Sequence, residues 1–464
     1  MAVNSIPPAR AVPASAPMPC YEVAPVSPAR AWWAVAVFTI ALMFNFLDRQ
    51  VMTLLVTPIK RDLGLSDTQI SVLIGFMFVL FYLGVGIPIS RLVDRSPRKW
   101  IIGAGIAFWS VMTAACGLAG NFWQLAIARM GVGVGESCNG PATYSMTADM
   151  FPREKLARAV SVINIGMVAG SGLALLVGGS LVVALTKAGD MTFPLLGTLR
   201  AWQLTFIIVG LPGVLIALLL VATVPEPPRR GEAPGKGGSA VSAPSLLDVL
   251  RFLGRWRAAF VPLVIATGVK SMLSFGATVW SPSFFERRFD WAPGTPGIWL
   301  GVVSLIVSPV GLLLGGWMAD RRTAAGHDDA NMRVVLWASL GVVPFAILFP
   351  LMPTPALALV MYGGSLFFGS IGAGPANAAV QVITPGRMRG TVSALYIAVF
   401  NVMGYGLGPL AVALLTEKLF HDAQMLPTAM ALTAALLGPL GLYFSWRSLR
   451  PYTRAAIEGR ENGY

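Results

Sequence analysis

Long apolar stretches alternate along the chain with short polar connections, and the length of those stretches points to a bilayer rather than to a water-soluble core. A helix crossing the hydrocarbon needs about 20 apolar residues. Twelve stretches meet that length: 31–57, 68–90, 100–120, 122–149, 157–185, 202–224, 258–282, 297–319, 332–352, 356–383, 389–416 and 427–448. The pattern breaks between the sixth and seventh, where "VPEPPRRGEAPGKGGSAVSAPS" (224–245) has the Pro, Gly and Ser content of a linker. The expected fold class is therefore an all-α polytopic membrane protein with twelve transmembrane helices in two pseudo-symmetric six-helix bundles. The expected units are a disordered cytoplasmic tail (1–29), an N-terminal six-helix bundle (30–224), a cytoplasmic linker (225–257), a C-terminal six-helix bundle (258–448) and a second cytoplasmic tail (449–464). Residues 1–29 are rich in Pro and Ala and lack the apolar core of a signal peptide, so 31–57 is read as a true span. Within the linker, "SLLDVLRFLGRWR" sets Leu246, Val249, Leu250 and Leu253 against Asp248, Arg251 and Arg255, as in a helix lying at a membrane surface or in the frayed start of the seventh span.

Composition agrees with the pattern: 55% of the 464 residues are hydrophobic, 12% are charged, and the mean hydropathy is +0.70. A net charge of +13 raises the possibility of a nucleic-acid partner. Its distribution removes it, because 24 of the 34 Lys and Arg residues fall on the side of the membrane that carries both termini, as the positive-inside rule requires of cytoplasmic segments. An integral protein of the cell (inner) membrane with cytoplasmic termini, monomeric and without a nucleic-acid partner, is the expectation. Cys20, Cys116 and Cys138 have neither disulfide nor metal-ligand spacing, and no cofactor or metal is implied. Two glycine-rich segments are decoys. "GEAPGK" (231–236) is too short between its glycines for a phosphate loop and lacks the following Ser or Thr, while "GVGVGES" lies inside a helix, where small residues allow close packing.

Internal repetition supports the two halves. "SRLVDRSPRK" (90–99) follows the second span and "GWMADRRTAAG" (316–326) the eighth; "GPATYSMTADMFP" (140–152) and "GPANAAVQVITP" (374–385) fall in the fourth and tenth. Repeats of this kind imply a binding site near the midplane between the halves. The two loops resemble the Gly-x-Leu-Ala-Asp-Arg-x-Gly-Arg-Lys signature of the major facilitator superfamily, with Ser90 and Pro97 in place of its glycines and Asp94, Arg95, Arg98 and Lys99 in register. Within that superfamily, "FLDRQ" (46–50), "GIAFWS" (105–110), "RMGVGVGES" (129–137), "ADMF" (148–151) and "GSGL" (170–173) resemble the spinster-like proteins. That resemblance implies alternating access, a central cavity lined by spans one, four, seven and ten, and an amphiphilic lipid substrate. The family's eukaryotic members move lysophospholipids and sphingosine-1-phosphate, commonly with proton linkage.

Few charges lie deep within spans: Asp48 and Glu136 among the acids, Arg49, Arg129 and Lys270 among the bases, and neither histidine; the others sit in loops, tails or span ends. Each charge at a helix centre costs about 2.5 to 3.5 kcal/mol against about 0.3 to 0.6 gained per apolar residue, so the first span inserts only marginally alone. Intramembrane charges are functional candidates by default, with a static ion-pair network as the structural alternative. Arg129 precedes Glu136 by two turns on one face, about 10 Å along the axis. Asp48, a little outward of its own span's middle, lies at a level between them, and the superfamily's fold puts Asp48, Arg129 and Glu136 within mutual reach with Lys270 across the cavity. Asp48 and Glu136 are the candidates for proton coupling, Arg49, Arg129 and Lys270 for substrate and gating. Neighbouring residues on a helix point about 100° apart, so Asp48 and Arg49 serve different faces. Asp94, Arg95, Arg98, Asp149 and Arg158, with Asp320 and Arg321 in the second half, form the cytoplasmic gate that the resemblance implies; solvated loop charge is the plainer reading. Asn164, Asn377, Gln381, Asn401 and Tyr405 are polar positions within spans five, ten and eleven, of a kind that commonly bonds neighbouring helices.

The expectation is a proton-coupled secondary active transporter of lysophospholipid or sphingolipid-like anionic amphiphiles, with a proton-linked exporter of small organic anions or drugs as the same-fold alternative. A lipid-modifying membrane enzyme would need a nucleophile and base or a metal site, and the spans contain no histidine for that work.

Overall fold

The computed structural model describes residues 26–194, 197–228 and 246–461. The phosphate-loop decoy and most of the linker lie outside the described residues, as does nearly all of the N-terminal tail. The first crossing is α1 (Pro28–Leu54) continued by α2 (Val56–Leu63). The second is α3 (Asp67–Ser71), a π-helical turn at Val72–Phe76, and α4 (Met77–Arg95). Then follow α5 (Arg98–Cys116), α6 (Phe122–Glu136) with α7 (Asn139–Met150), α8 (Arg153–Ala188), a hairpin of β1 (Met191–Phe193) and β2 (Gly197–Leu199), and α9 (Ala201–Thr223). After the linker come α10 (Leu246–Arg255), α11 (Arg257–Phe289), α12 (Thr295–Ala324), α13 (Ala330–Leu348), and α14 (Pro355–Ile371) with α15 (Ala373–Val382). The last crossings are α16 (Arg389–Asn401), a π-helical stretch at Val402–Leu407 and α17 (Gly408–Leu414), then α18 (Leu426–Glu461).

Among the described residues, eleven helical stretches are long and apolar enough to cross a bilayer. The fourth of the twelve crossings, α6 with α7, is interrupted at Ser137–Cys138, so neither piece alone has the required length. Its counterpart in the second half is interrupted at Gly372, between α14 and α15. One cause serves both: Gly140-Pro141 and Gly374-Pro375 sit in the first turns of α7 and α15, and a proline cannot donate the hydrogen bond that would continue the helix before it. Broken helices at membrane depth are tolerated where protein covers them.

Two boundaries differ most from the sequence expectation. The seventh span continues seven residues beyond 282, because Pro282 is accommodated within α11 and Ser283, Phe284 and Phe285 are buried. The segment 449–464 is helical as far as Glu461: Tyr452, Ala455 and Ala456 on α18 pack with Val249 of α10, and Arg255 pairs with Glu458 at 3.2 Å. The amphipathic segment therefore docks through Val249 on the second half while Leu247 and Leu250 face outward.

The apolar cores show how the halves meet. Both ends of the described chain lie on one face, here the termini face; the connections 64–66, 117–121, 189–200, 290–294, 352–354 and 420–425 lie on the opposite face. One core runs without interruption across both halves at the opposite face, from Leu54, Leu55, Ile70 and Leu73 to Trp280, Phe284, Leu300 and Phe349. Toward the termini face the core divides, with Phe38, Trp109 and Met146 in a cluster of the first half and Leu263, Val380 and Tyr452 in one of the second. The halves are thus joined at the opposite face and parted at the termini face. Glycines make the close approach possible along α8 and α12: a Cβ on Gly301 would lie 2.6 Å from the Leu176 nitrogen, and one on Gly179 2.6 Å from the Gly294 carbonyl. Small residues at such crossings let backbones touch where no hydrophobic effect drives association. Gly75 does the same at the two π-helical stretches, where any Cβ would collide with the Tyr405 carbonyl.

Gly301→Leu is expected to cost the joined state about 1 to 3 kcal/mol. Spin labels on opposite-face loops of the two halves will then read a longer mean separation than in the unsubstituted protein.

Candidate functional site

The mid-membrane charges gather where the halves begin to part. Arg49 on α1 reaches Glu136 at the end of α6, with Nε donating to Oε2 at 2.7 Å and Nη2 standing 2.6 Å from the same oxygen. Aromatic rings surround the guanidinium: its centre lies 4.6 Å from the Phe78 ring, 5.3 Å from Tyr82, 5.6 Å from Phe46 and 5.8 Å from Tyr405. Tyr405 belongs to the second half and stacks on Phe275 at 3.7 Å, so Arg49 touches both halves. Rings at these distances attract a desolvated cation, and the carboxylate supplies the counter-charge. A small cavity beside the pair is lined by Gln50, Thr53, Phe78, Arg129, Phe275 and Tyr405.

Asp48 points elsewhere, as the 100° step requires. It is 2% exposed and faces Trp109 and Thr113 on α5, whose indole N–H and hydroxyl approach it without closing hydrogen bonds of standard geometry. Arg129, 1% exposed, lies within electrostatic range of both Asp48 and Glu136, and its Nε and Nη1 have no direct protein acceptor among the described residues. Its guanidinium shares the Phe78 ring with Arg49, at 5.6 Å. Asp48, Arg49, Arg129 and Glu136 therefore form one buried cluster of two acids and two bases. The sequence left open which base bonds which acid; the direct pair is Arg49 with Glu136.

Lys270 lies outside this cluster. Its amine packs where a side chain on Gly372 would stand, beside Ala338, and has no direct protein acceptor among the described residues. It faces the interruption of the tenth crossing rather than Arg49 and Glu136, because the rotation of α11 about its axis, invisible in the sequence, turns it that way. Of the lesser polar positions, Asn164 accepts from the Tyr144 hydroxyl at 2.8 Å, and Asn377 and Gln381 are exposed.

At the termini face, Arg98 is the hub. It is 1% exposed, pairs with Asp149 and with Glu226 at 3.0 Å, and donates to the Ser145 hydroxyl at 2.9 Å and the Pro227 carbonyl at 2.8 Å. All of these partners belong to the first half, so the cluster staples α5 to α7 and to the chain leaving α9. Glu226 lies in the segment of linker composition, where nothing local signals this partner. Asp94 and Arg95 occupy the last turn of α4, and their side chains are not among those described. Arg158 rests over Trp32 at 5.7 Å, Arg321 over Trp317 at 5.3 Å, and Asp320 is exposed.

The opposite face carries a third group whose pairing has no sequence signature, because its members sit near span ends and several of their partners lie across the halves. Asp67, 1% exposed on α3, receives Arg287 of α11 through both terminal nitrogens (2.9 and 2.8 Å) and Lys60 at 2.5 Å. Glu417 accepts from the Asp67 backbone N–H and the Thr68 hydroxyl, and Thr57 donates to Glu286 at 2.5 Å. The Ser71 hydroxyl and the Trp280 indole both donate to the Pro409 carbonyl, at 3.1 and 3.0 Å. The visible sequence signal was "SDTQ", a helix start whose capping box the structure forms between Ser66 and Gln69.

Such an arrangement, two helical halves with a charge cluster between them, is that of a membrane transporter. The model of the major facilitator superfamily matches residues 38–413, and the chain belongs to that superfamily. Within it the chain is a spinster-like member. It is 25% identical to protein spinster homolog 1 of Homo sapiens over 411 residues, covering 85% of this chain and 74% of the human one. It is also 29% identical to an MFS-type efflux pump of Mycolicibacterium smegmatis over 442 residues, covering 93% and 95%. Among solved structures, a bacterial homolog of the human lysosomal transporter Spinster, in an inward-facing and unoccupied conformation, superposes with a TM-score of 0.78 at 25% identity, covering 95% of this chain and 99% of that one. A D-xylose–proton symporter shares the fold, with a TM-score of 0.67 at 18% identity and coverage of 92% and 99%.

Replacing Arg98 leaves two carboxylates without their shared partner. Arg98→Ala is expected to lower stability by about 3 kcal/mol, and Arg98→Lys to recover only part of it, since an ammonium cannot serve four acceptors in a fixed fork. Thermal unfolding of the purified protein checks both.

Proposed function

We propose that this transporter is proton-coupled and moves amphiphiles with an anionic head, lysophospholipid- or sphingolipid-like, by alternating access. The observation that carries the reading is the buried cluster of Asp48, Arg49, Arg129 and Glu136 at the point where the halves part. With both acids ionised the cluster is neutral. Adding a proton to Asp48 or Glu136 leaves one guanidinium without its counter-charge in a low-dielectric setting, where an incoming phosphate or carboxylate is bound strongly. Proton and anion then favour each other's binding, and by linkage the effect is reciprocal. Arg129, with two nitrogens free of direct protein acceptors among the described residues, is the first candidate to receive the head, and Arg49 follows as it leaves Glu136. Lys270 is the corresponding cation of the second half, reached when α15 moves at the Gly372 interruption.

The joined opposite face and parted termini face make this state open toward the side that the basic loops assign to the cytoplasm, with both termini there in a cell membrane. In the converse state Asp94, Arg95, Arg98, Asp149 and Arg158 approach Asp320 and Arg321 to close the cytoplasmic face. A monomer contains every part required.

A second reading, a proton-linked exporter of small organic anions or drugs, is favoured by the likeness to the mycobacterial efflux pump. Thermal stabilisation separates the two: lysophosphatidate stabilising the protein where benzoate does not supports the lipid reading, and the reverse supports the exporter.

In proteoliposomes, Glu136→Gln removes the proton-binding group that holds Arg49. Flux driven by a pH gradient is expected to fall at least tenfold while exchange at equal pH persists; normal gradient-driven flux with full pH dependence would sink the mechanism. Asp48→Asn is expected to shift the pH profile of anion binding and to reduce the coupling between proton and anion from the usual 5- to 150-fold range toward unity.

A further inference from the structure

Glu286 stands apart from the mid-membrane cluster and has no part in the mechanism above. It lies on α11 in the seam between the halves, one residue before Arg287, with its Oε2 accepting from Thr57 of the first half. Its other oxygen, Oε1, is buried without a direct protein donor among the described residues, beside the backbone of Gly294. Phe284, Phe285, Phe289 and Trp291 make the surroundings apolar. The charged groups around it are already engaged: Arg287 and Lys60 are spent on Asp67, and Glu417 caps the start of α3.

Glu286 as a whole is partly buried, but an ionised carboxylate leaves the buried Oε1 without a direct donor among the described residues while the neighbouring Arg287 is bonded to Asp67, which is costly. The neutral acid carries only one strong acceptor oxygen and a hydroxyl that can turn to Thr57. Opening of the opposite face must separate α2 from α11, break the contact with Thr57 and wet the carboxyl, where an ordinary glutamate is ionised at neutral pH.

We propose that Glu286 is a second proton-binding site of this transporter, taking up a proton as the opposite face seals and releasing it there on opening. The proposal rests on the alternating-access reading but not on proton coupling through Asp48 or Glu136. By linkage, the sealed state binds one proton more than the open one, so acid favours sealing. Through the window between the two ionisation midpoints, the sealed-to-open ratio changes up to tenfold per pH unit.

The test is pulsed electron–electron distance measurement between spin labels at Gly120→Cys and Pro353→Cys, one on each half's opposite-face loops, with the native cysteines replaced by serine, in nanodiscs from pH 5.5 to 8.5. The unsubstituted protein is expected to gain a longer-distance population as pH rises. Glu286→Gln, the permanently neutral mimic, is expected to keep the short, low-pH distance at every pH, and that shared distance shows that it is folded. Glu136→Gln is expected to retain the opposite-face response while losing gradient-driven flux, so the two proton sites fail separately. A pH response in Glu286→Gln equal to that of the parent overturns the proposal, as does a parent that never opens with rising pH.

Discussion

The pairing of Arg49 with Glu136 is the contact on which the arrangement of the halves turns. Neither residue belongs in hydrocarbon alone, and each makes the other's burial tolerable. The pair also fixes geometry. It ties α1 to the end of α6 and gathers Phe78 and Tyr82 of α4 around the guanidinium, with Tyr405 of the second half closing the cage. A change in the protonation of one carboxyl is therefore felt at once by a ring of the other half. A small element in contact with both halves is what the coupling proposed above requires.

The three charge groups occupy three depths and differ in what they hold. The termini-face cluster around Arg98 is internal to the first half and keeps it rigid. The mid-membrane cluster spans the line where the halves part. The opposite-face group, centred on Asp67, joins the halves outright through Arg287, Glu417 and Glu286. Truncating one member of a desolvated pair leaves the other uncompensated, so each cluster behaves as a unit rather than as a sum of bonds.

Much of the fold was legible because hydropathy reports directly on crossing a bilayer: each of the twelve stretches holds a crossing. The proline pair at 141 and 375 was visible in the repeated "GPA", yet its effect, breaking both helices, depends on neighbours that cover the break. The candidate cluster was legible because ionisable residues inside spans are few. What escaped depended on rotation and partners. One position along α1 separates a residue that pairs with Glu136 from one that faces α5, and nothing in a one-dimensional pattern distinguishes them. The depth of Lys270 can be read from its place in the seventh span, but its rotation about the helix, which turns the amine to the Gly372 interruption, cannot. Glu286, Arg287 and Glu417 lie outside the expected spans, and a cross-half partner more than 100 residues away leaves no local trace.

The divided core has a consequence for the lipids around the protein. A body joined at one face and parted at the other is wedge-shaped, and it takes up more area in one leaflet than in the other. Moving to the converse state transfers that area between leaflets. The equilibrium between the two states then includes mechanical work against the bilayer, and a leaflet crowded with single-chain lipids presses on the wedge differently from one filled with two-chain lipids. If the cargo is the amphiphile proposed above, its accumulation in one leaflet would itself change the pressure under which the carrier turns.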